Sequence, residues 1–254
     1  MPDHPVFVKP PESVQPVPRR VRGFIDGRVV FDTTRALYVW EHARYPQYYV
    51  PMEDLLPGLL VPEGHLQSNS LGTVEAHGLK NGVEYVTRAA KVVTESPNEH
   101  LVGTVRFNWD AIDGWFEEDE RVFVHPRNPY VRIDALRSTR GFRVELDGQV
   151  LAESSSPVLL FETGLPTRYY VNRTDIHFDH LVASETVTSC PYKGTTTQYW
   201  SAEVGGTRVD DIAWSYDFPT VAVAPIAGLV AFYNEKADLF LDGNRLERPA
   251  TGSH

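Results

Sequence analysis

Cys190 is the single cysteine in a chain of 254 residues. One thiol excludes an intrachain disulfide and any zinc site built from cysteines. A basic surplus is also missing. Lys and Arg number 24 against 34 Asp and Glu, and the formal net charge is −10. That balance argues against the positive footprint that binding to nucleic-acid phosphates requires. Arg19-Arg20 with Arg22 is the densest basic cluster and reads as a solvated linker. No apolar run approaches the length of a membrane-spanning helix. The start, Met1-Pro2-Asp3-His4-Pro5, lacks the charged beginning and apolar centre of a signal peptide, so a cytoplasmic location is expected. Helical periodicity over ten or more residues is hard to find. There is no P-loop, no Gly-x-Gly-x-x-Gly and no Gly-x-Ser-x-Gly. The hydrophobic fraction of 42% and charged fraction of 23% are ordinary for a soluble globular protein.

What the chain does contain is a duplication. The stretch from Phe24 to Leu55 lies on Glu145 to Ile176 without a gap, at a constant offset of 121 residues. Asp26/Asp147, Gly27/Gly148, Glu41/Glu162, Tyr48/Tyr169, Tyr49/Tyr170 and Asp54/Asp175 coincide. A second block matches Gly103, Val105, Phe107 and Asp113 to Gly228, Val230, Phe232 and Asp238 at an offset of 125. Two tandem domains of roughly 110 residues follow, each large enough for its own core.

Each copy opens on apolar alternation interrupted by Asp-Gly, at Asp26-Gly27 and Asp147-Gly148, and Asp242-Gly243 repeats the signal. Asp-Gly supplies the positive φ angles of a tight hairpin turn. Ala36–Trp40, Thr104–Phe107, Val158–Phe161 and Leu229–Tyr233 read as further short strands. Short helical turns are expected near 51–56 and 172–176, with Asp54 and Asp175 as caps or turn formers. The fold class is therefore all-β with minor short helices. Residues 1–18, with six prolines, read as an extended arm outside any ladder, anchored by Val6, Phe7 and Val8. The first repeat spans 19–124, a semi-rigid linker 125–141, and the second repeat 142–250. The end, Thr251-Gly252-Ser253-His254, reads as native or as the trace of a tag.

Two motifs occur only in the second copy: Cys190-Pro191-Tyr192-Lys193-Gly194 and Trp214-Ser215-Tyr216. Where Cys190 to Gly194 fall, the first copy has Asn69-Ser70-Leu71-Gly72-Thr73, so thiol and ammonium are dispensable for the fold. Pro191 and Gly194 shape a turn. A thiol three residues from an ammonium favours thiolate, and aromatic rings with one cation suit a small-molecule pocket. The bland alternative is a buried cysteine and core aromatics. Glu41 and Glu162, retained in both copies, suggest a structural task such as bonding tyrosine hydroxyls. His177-x-Asp179-His180 reads as solvent-facing, and Asp210-Asp211 as a hairpin turn.

Glu162-Thr163-Gly164-Leu165-Pro166-Thr167-Arg168-Tyr169-Tyr170, Cys190 to Gly194, Trp214-Ser215-Tyr216 and Val230-Ala231-Phe232-Tyr233 closely resemble domain-of-unknown-function family four-two-seven. The first half resembles the divergent partner copy of its tandem members. The resemblance implies a compact fold similar to the Mss4-like, tent-shaped β group, and it carries a nucleotidyltransferase label. Zinc-bearing members of that group use paired cysteines, which this chain lacks, so neither metal nor cofactor is expected.

The leading expectation is a small-molecule site in the second repeat for a planar or anionic metabolite such as a nucleotide. Lys193 would meet negative charge, and Trp200, Trp214 and Tyr216 would stack, with Tyr192 and Tyr170 completing the ligand set. For catalysis, Cys190 is the candidate nucleophile and Glu162 the candidate acid or base. Whether the protein is an enzyme is left open by the sequence. The competing reading is a non-catalytic interaction or scaffold module. Neither nucleic acid nor membrane is an expected partner, and the reading leaves room for a homodimer.

Overall fold

A computed structural model describes residues 9–249. The anchors Val6, Phe7 and Val8 and the end Thr251–His254 lie outside the described residues. The chain divides between Pro129 and Tyr130 into two compact units.

The first domain holds a seven-stranded antiparallel sheet. Its order is Val14–Pro16, Leu37–Val39, Gln47–Pro51, Thr104–Phe107, Glu84–Glu95, Gly72–Asn81 and Leu60–Asn69. A four-stranded sheet follows the order Glu120–Val122, Gly114–Glu117, Val21–Ile25 and Arg28–Thr33. The second domain repeats both orders. Its seven strands run Ile133–Arg137, Val158–Glu162, Arg168–Val171, Val230–Phe232, Thr207–Ser215, Gln198–Val204 and Leu181–Ser184. Its four strands run Gln149–Ser154, Phe142–Leu146, Asp238–Leu241 and Asn244–Arg245. Equal strand order in both domains is the structural counterpart of the sequence duplication.

All three Asp-Gly pairs make the hairpin turns that their chemistry requires. Asp26 and Gly27 have φ of 49° and 72°, Asp147 and Gly148 50° and 80°, Asp242 and Gly243 51° and 77°. Each closes a two-residue loop, with Ile25 facing Arg28, Leu146 facing Gln149 and Leu241 facing Asn244. Positive φ at both central residues matches the twist of the flanking strands. Single helical turns form at Met52–Asp54 and Arg173–Asp175. Asp54 and Asp175 lie inside them rather than capping them.

Two expectations about segments change. Val14–Pro16 of the extended arm does not stay outside the ladders but forms the edge strand beside Leu37–Val39. An edge position tolerates the missing donor of Pro16. Ile133–Arg137, read as linker, is the matching edge strand beside Val158–Glu162. Both strands are short and neither alternates strictly, so the pattern did not reveal them.

Each seven-stranded sheet is buried on two faces. In the second domain, the inner face joins the four-stranded sheet through Phe142, Leu151, Tyr169, Trp200, Ile212 and Phe232. The outer face carries Leu160, Tyr170, Tyr199, Trp214 and Tyr216, covered by Val223 and Ile226 of the turn Val221–Ile226. Neighbouring residues of a strand point to opposite faces, which is why the Tyr169-Tyr170 pair splits between the two cores. In the first domain, Tyr48 belongs to the inner core and Tyr49 to the outer one.

Candidate functional site

The strands Leu60–Asn69 and Gly72–Asn81 of the first domain meet through Ser70-Leu71 alone. Their second-domain counterparts, Leu181–Ser184 and Gln198–Val204, are separated by residues 185–197. This excursion folds into its own small hairpin, with Ser189-Cys190 paired to Gly194-Thr195. Gly194, at φ 96°, occupies the left-handed region that a side chain would strain. The Thr220 amide donates to the Lys193 carbonyl at 3.1 Å and the Thr220 hydroxyl to the Tyr192 carbonyl at 2.6 Å. The loop after Trp214-Ser215-Tyr216 thus holds the Cys190–Gly194 turn.

The turn delivers Lys193 to Glu162. The Lys193 ammonium donates to Glu162 Oε2, and the two side chains are only 13% and 8% exposed. Burial alone would lower the Lys193 pKa. The Glu162 carboxylate, helped by Cys190 and Tyr170, more than offsets this and holds it above the ordinary lysine range. Tyr170 stands on the neighbouring strand, where burial pushes its hydroxyl up to about 12. Trp214 Nε1 donates to the Tyr170 hydroxyl at 3.3 Å. Burial, followed by the neighbouring Tyr170 and Cys190, raises Tyr216.

Cys190 is half-buried and within electrostatic reach of Lys193 and Tyr216. One sheet face therefore gathers Glu162, Lys193, Tyr170, Trp214 and Tyr216, with Cys190 on the covering turn. Tyr192 contributes its backbone to the turn. Trp200 is placed elsewhere: it lies in the inner core, with its ring 5.7 Å from that of Phe178 and the Arg173 guanidinium 5.3 Å away. Strand alternation explains the separation, because Tyr199 rather than Trp200 faces Trp214. The three-ring stack expected from Trp200, Trp214 and Tyr216 is corrected accordingly.

The family is decided by the two halves separately. A family model described as Domain of unknown function (DUF427) matches residues 13–118 and again residues 134–243. The chain is a tandem member of the DUF427 family. No curated protein matches it.

The two DUF427 domains differ at the site while sharing its frame. Glu41, the counterpart of Glu162, accepts from the Tyr49 hydroxyl at 3.1 Å and from Arg106 Nε at 3.1 Å. A carboxylate, a cation and a tyrosine thus meet in both domains, but the cation comes from different elements. In the ladder, Lys91 faces Arg106 where Trp214 faces Ala231. Among the described residues, the first domain fills its outer face with Val39, Val74, Val93 and Leu101, and Tyr49 is the one aromatic ring of that buried cluster.

Sequence reasoning missed Tyr199, Tyr233 and Arg168. The Tyr199 and Tyr233 hydroxyls lie 3.2 Å apart, and Thr188 Oγ1 is 2.9 Å from Tyr199. The Tyr233 ring is 4.3 Å from that of Trp214. Alternation from Trp214 across the paired strands would have found Tyr199. Asp210-Asp211 is not the hairpin turn, which is Gly205-Gly206; both residues lie in the returning strand Thr207–Ser215 at a bulge. Asp210 accepts from Arg208 at 2.7 Å, while Asp211 accepts from Ser184 and Thr186 at 2.5 and 2.7 Å. Their lone pairs serve the fold.

Proposed function

We propose that the second domain binds a small planar metabolite on its outer sheet face, between Trp214 and the Cys190–Gly194 turn. The observation that carries this reading is the excursion 185–197. It is absent from the first domain, and it brings Lys193 and Cys190 to a wall of Tyr170, Tyr199, Trp214 and Tyr216. The first domain builds its outer core with Tyr49 in the place of Tyr170 and with no counterpart of Lys193, Cys190 or Trp214. Aromatic faces with a few convergent polar groups are the usual make-up of such sites.

A catalytic version makes Cys190 the nucleophile, but Glu162 is then a poor acid or base, since it is committed to Lys193. Binding is the better-supported reading. The test is a thermal-shift panel of nucleotides, nucleosides, amides and carboxylates against the full chain and against the double variant Glu162→Leu/Lys193→Met. A ligand that stabilises the wild type and not the variant supports the site. A panel that stabilises both equally, or neither, counts against it.

A further inference from the structure

The hydrogen bonds on this face are unbalanced, and the imbalance describes a ligand. Tyr216 is 4% exposed, and its hydroxyl has no hydrogen-bond partner among the described residues. Tyr170 is fully buried; its oxygen accepts from Trp214 Nε1, while its own proton has no acceptor among the described residues. The Lys193 ammonium has three donors, and Glu162 is its acceptor there. A buried hydroxyl proton without an acceptor, such as that of Tyr170, costs free energy and calls for an explanation. The Tyr170 proton and the unpartnered Tyr216 hydroxyl stand beside an ammonium with donors to spare, a grouping that suits an oxygen that accepts.

Charge is already balanced. Lys193 is neutralised by Glu162, Arg168 by Glu235 through contacts of 2.8 and 2.9 Å, and Arg173 by Asp217 at 3.1 Å. The Arg168 guanidinium sits 5.7 Å from the Trp214 ring and 5.3 Å from the Tyr233 ring. An anion entering this face would be an uncompensated buried charge, in a chain of net charge −10.

Resting on the binding site proposed above, we infer that its ligand is a neutral planar molecule presenting a carbonyl oxygen to the Tyr216 and Tyr170 hydroxyls, with its ring against Trp214. This narrows the expectation of an anionic or planar metabolite to the neutral class. The nearly isosteric pair benzamide and benzoate tests it. Both are titrated into the full chain while the Trp214 indole cross-peak is followed by NMR. Benzamide is expected to shift that peak and to bind at least about tenfold more tightly than benzoate. Tyr216→Phe, which removes only the unpartnered hydroxyl, is expected to weaken benzamide by up to about tenfold, the range of one neutral hydrogen bond. Benzoate binding as tightly as benzamide overturns the neutral class while leaving the site standing. So does a response of Trp214 to the nucleotides and carboxylates of the metabolite panel but to none of its nucleosides or amides. Benzamide binding that Tyr216→Phe leaves unchanged overturns the donor role. Silence of Trp214 toward both probes and the panel overturns inference and site together.

Discussion

Removing one charge of the Glu162–Lys193 pair should unsettle the second domain far more than removing both. Both side chains are less than 15% exposed, so neither charge can be left to water. Two unit charges about 4 Å apart at an effective dielectric near 20 attract by about 4 kcal/mol. Lys193→Met or Glu162→Leu strands the other charge, at a cost of about 3–5 kcal/mol. The double variant strands nothing and is expected within about 1 kcal/mol of wild type or above it. For a domain of this size each kcal/mol moves the melting temperature by about 4 °C, so the single variants should melt about 12–20 °C lower. Urea unfolding followed by tryptophan fluorescence reads the loss. Hydrogen exchange of peptides from 134–243 assigns it to the second domain. Single variants that lose less than about 1 kcal/mol, or a double variant as weak as either single, would refute a buried and mutually dependent pair.

Three further outcomes follow from the same geometry. Tyr216→Phe should leave stability unchanged or raise it, since an unpartnered hydroxyl is deleted. Tyr48→Phe should lose about 1.5–3 kcal/mol, because its hydroxyl donates to buried Glu117 at 2.6 Å; equal effects in a denaturation series would sink the contrast. Burial raises Tyr170 to about 12, and Lys193 is also raised. The folded state therefore holds more protons than the unfolded one at alkaline pH, and stability present below pH 10 falls as pH climbs toward 12. Ultraviolet titration should show a late tyrosine fraction that ionises only as the fold is lost, and ionisation of every tyrosine near pH 10 in the folded protein would contradict it. Labelling of Cys190 at neutral pH should run no faster than an ordinary thiol while Glu162 holds the ammonium, and it should quicken in Glu162→Leu; a fast wild-type rate would instead favour the nucleophile.

Much of the fold was readable because its signals are local. The Asp-Gly turns, the short β-branched strands and the duplication itself were visible at fixed offsets. The edge strands Val14–Pro16 and Ile133–Arg137 were not, because pairing on one side leaves little hydrophobic pattern. At the site, Tyr48/Tyr169 and Glu41/Glu162 recur in both copies, while Lys193, Cys190 and Trp214 occur once, which is what singled them out as candidates. The sequence could not show that Lys193 and Glu162, 31 residues apart, neutralise each other. That contact depends on how the excursion 185–197 folds back across the sheet.

On the reading proposed above, the outer face of the second domain, and not its first-domain counterpart, receives a small molecule. The indole NMR spectrum of the full chain tests this most directly, because the sequence holds five tryptophans. Titration with benzamide is predicted to shift the cross-peak of Trp214 while those of Trp40, Trp109 and Trp115 stay in place. Movement of the first-domain peaks, with Trp214 unchanged, would contradict the account.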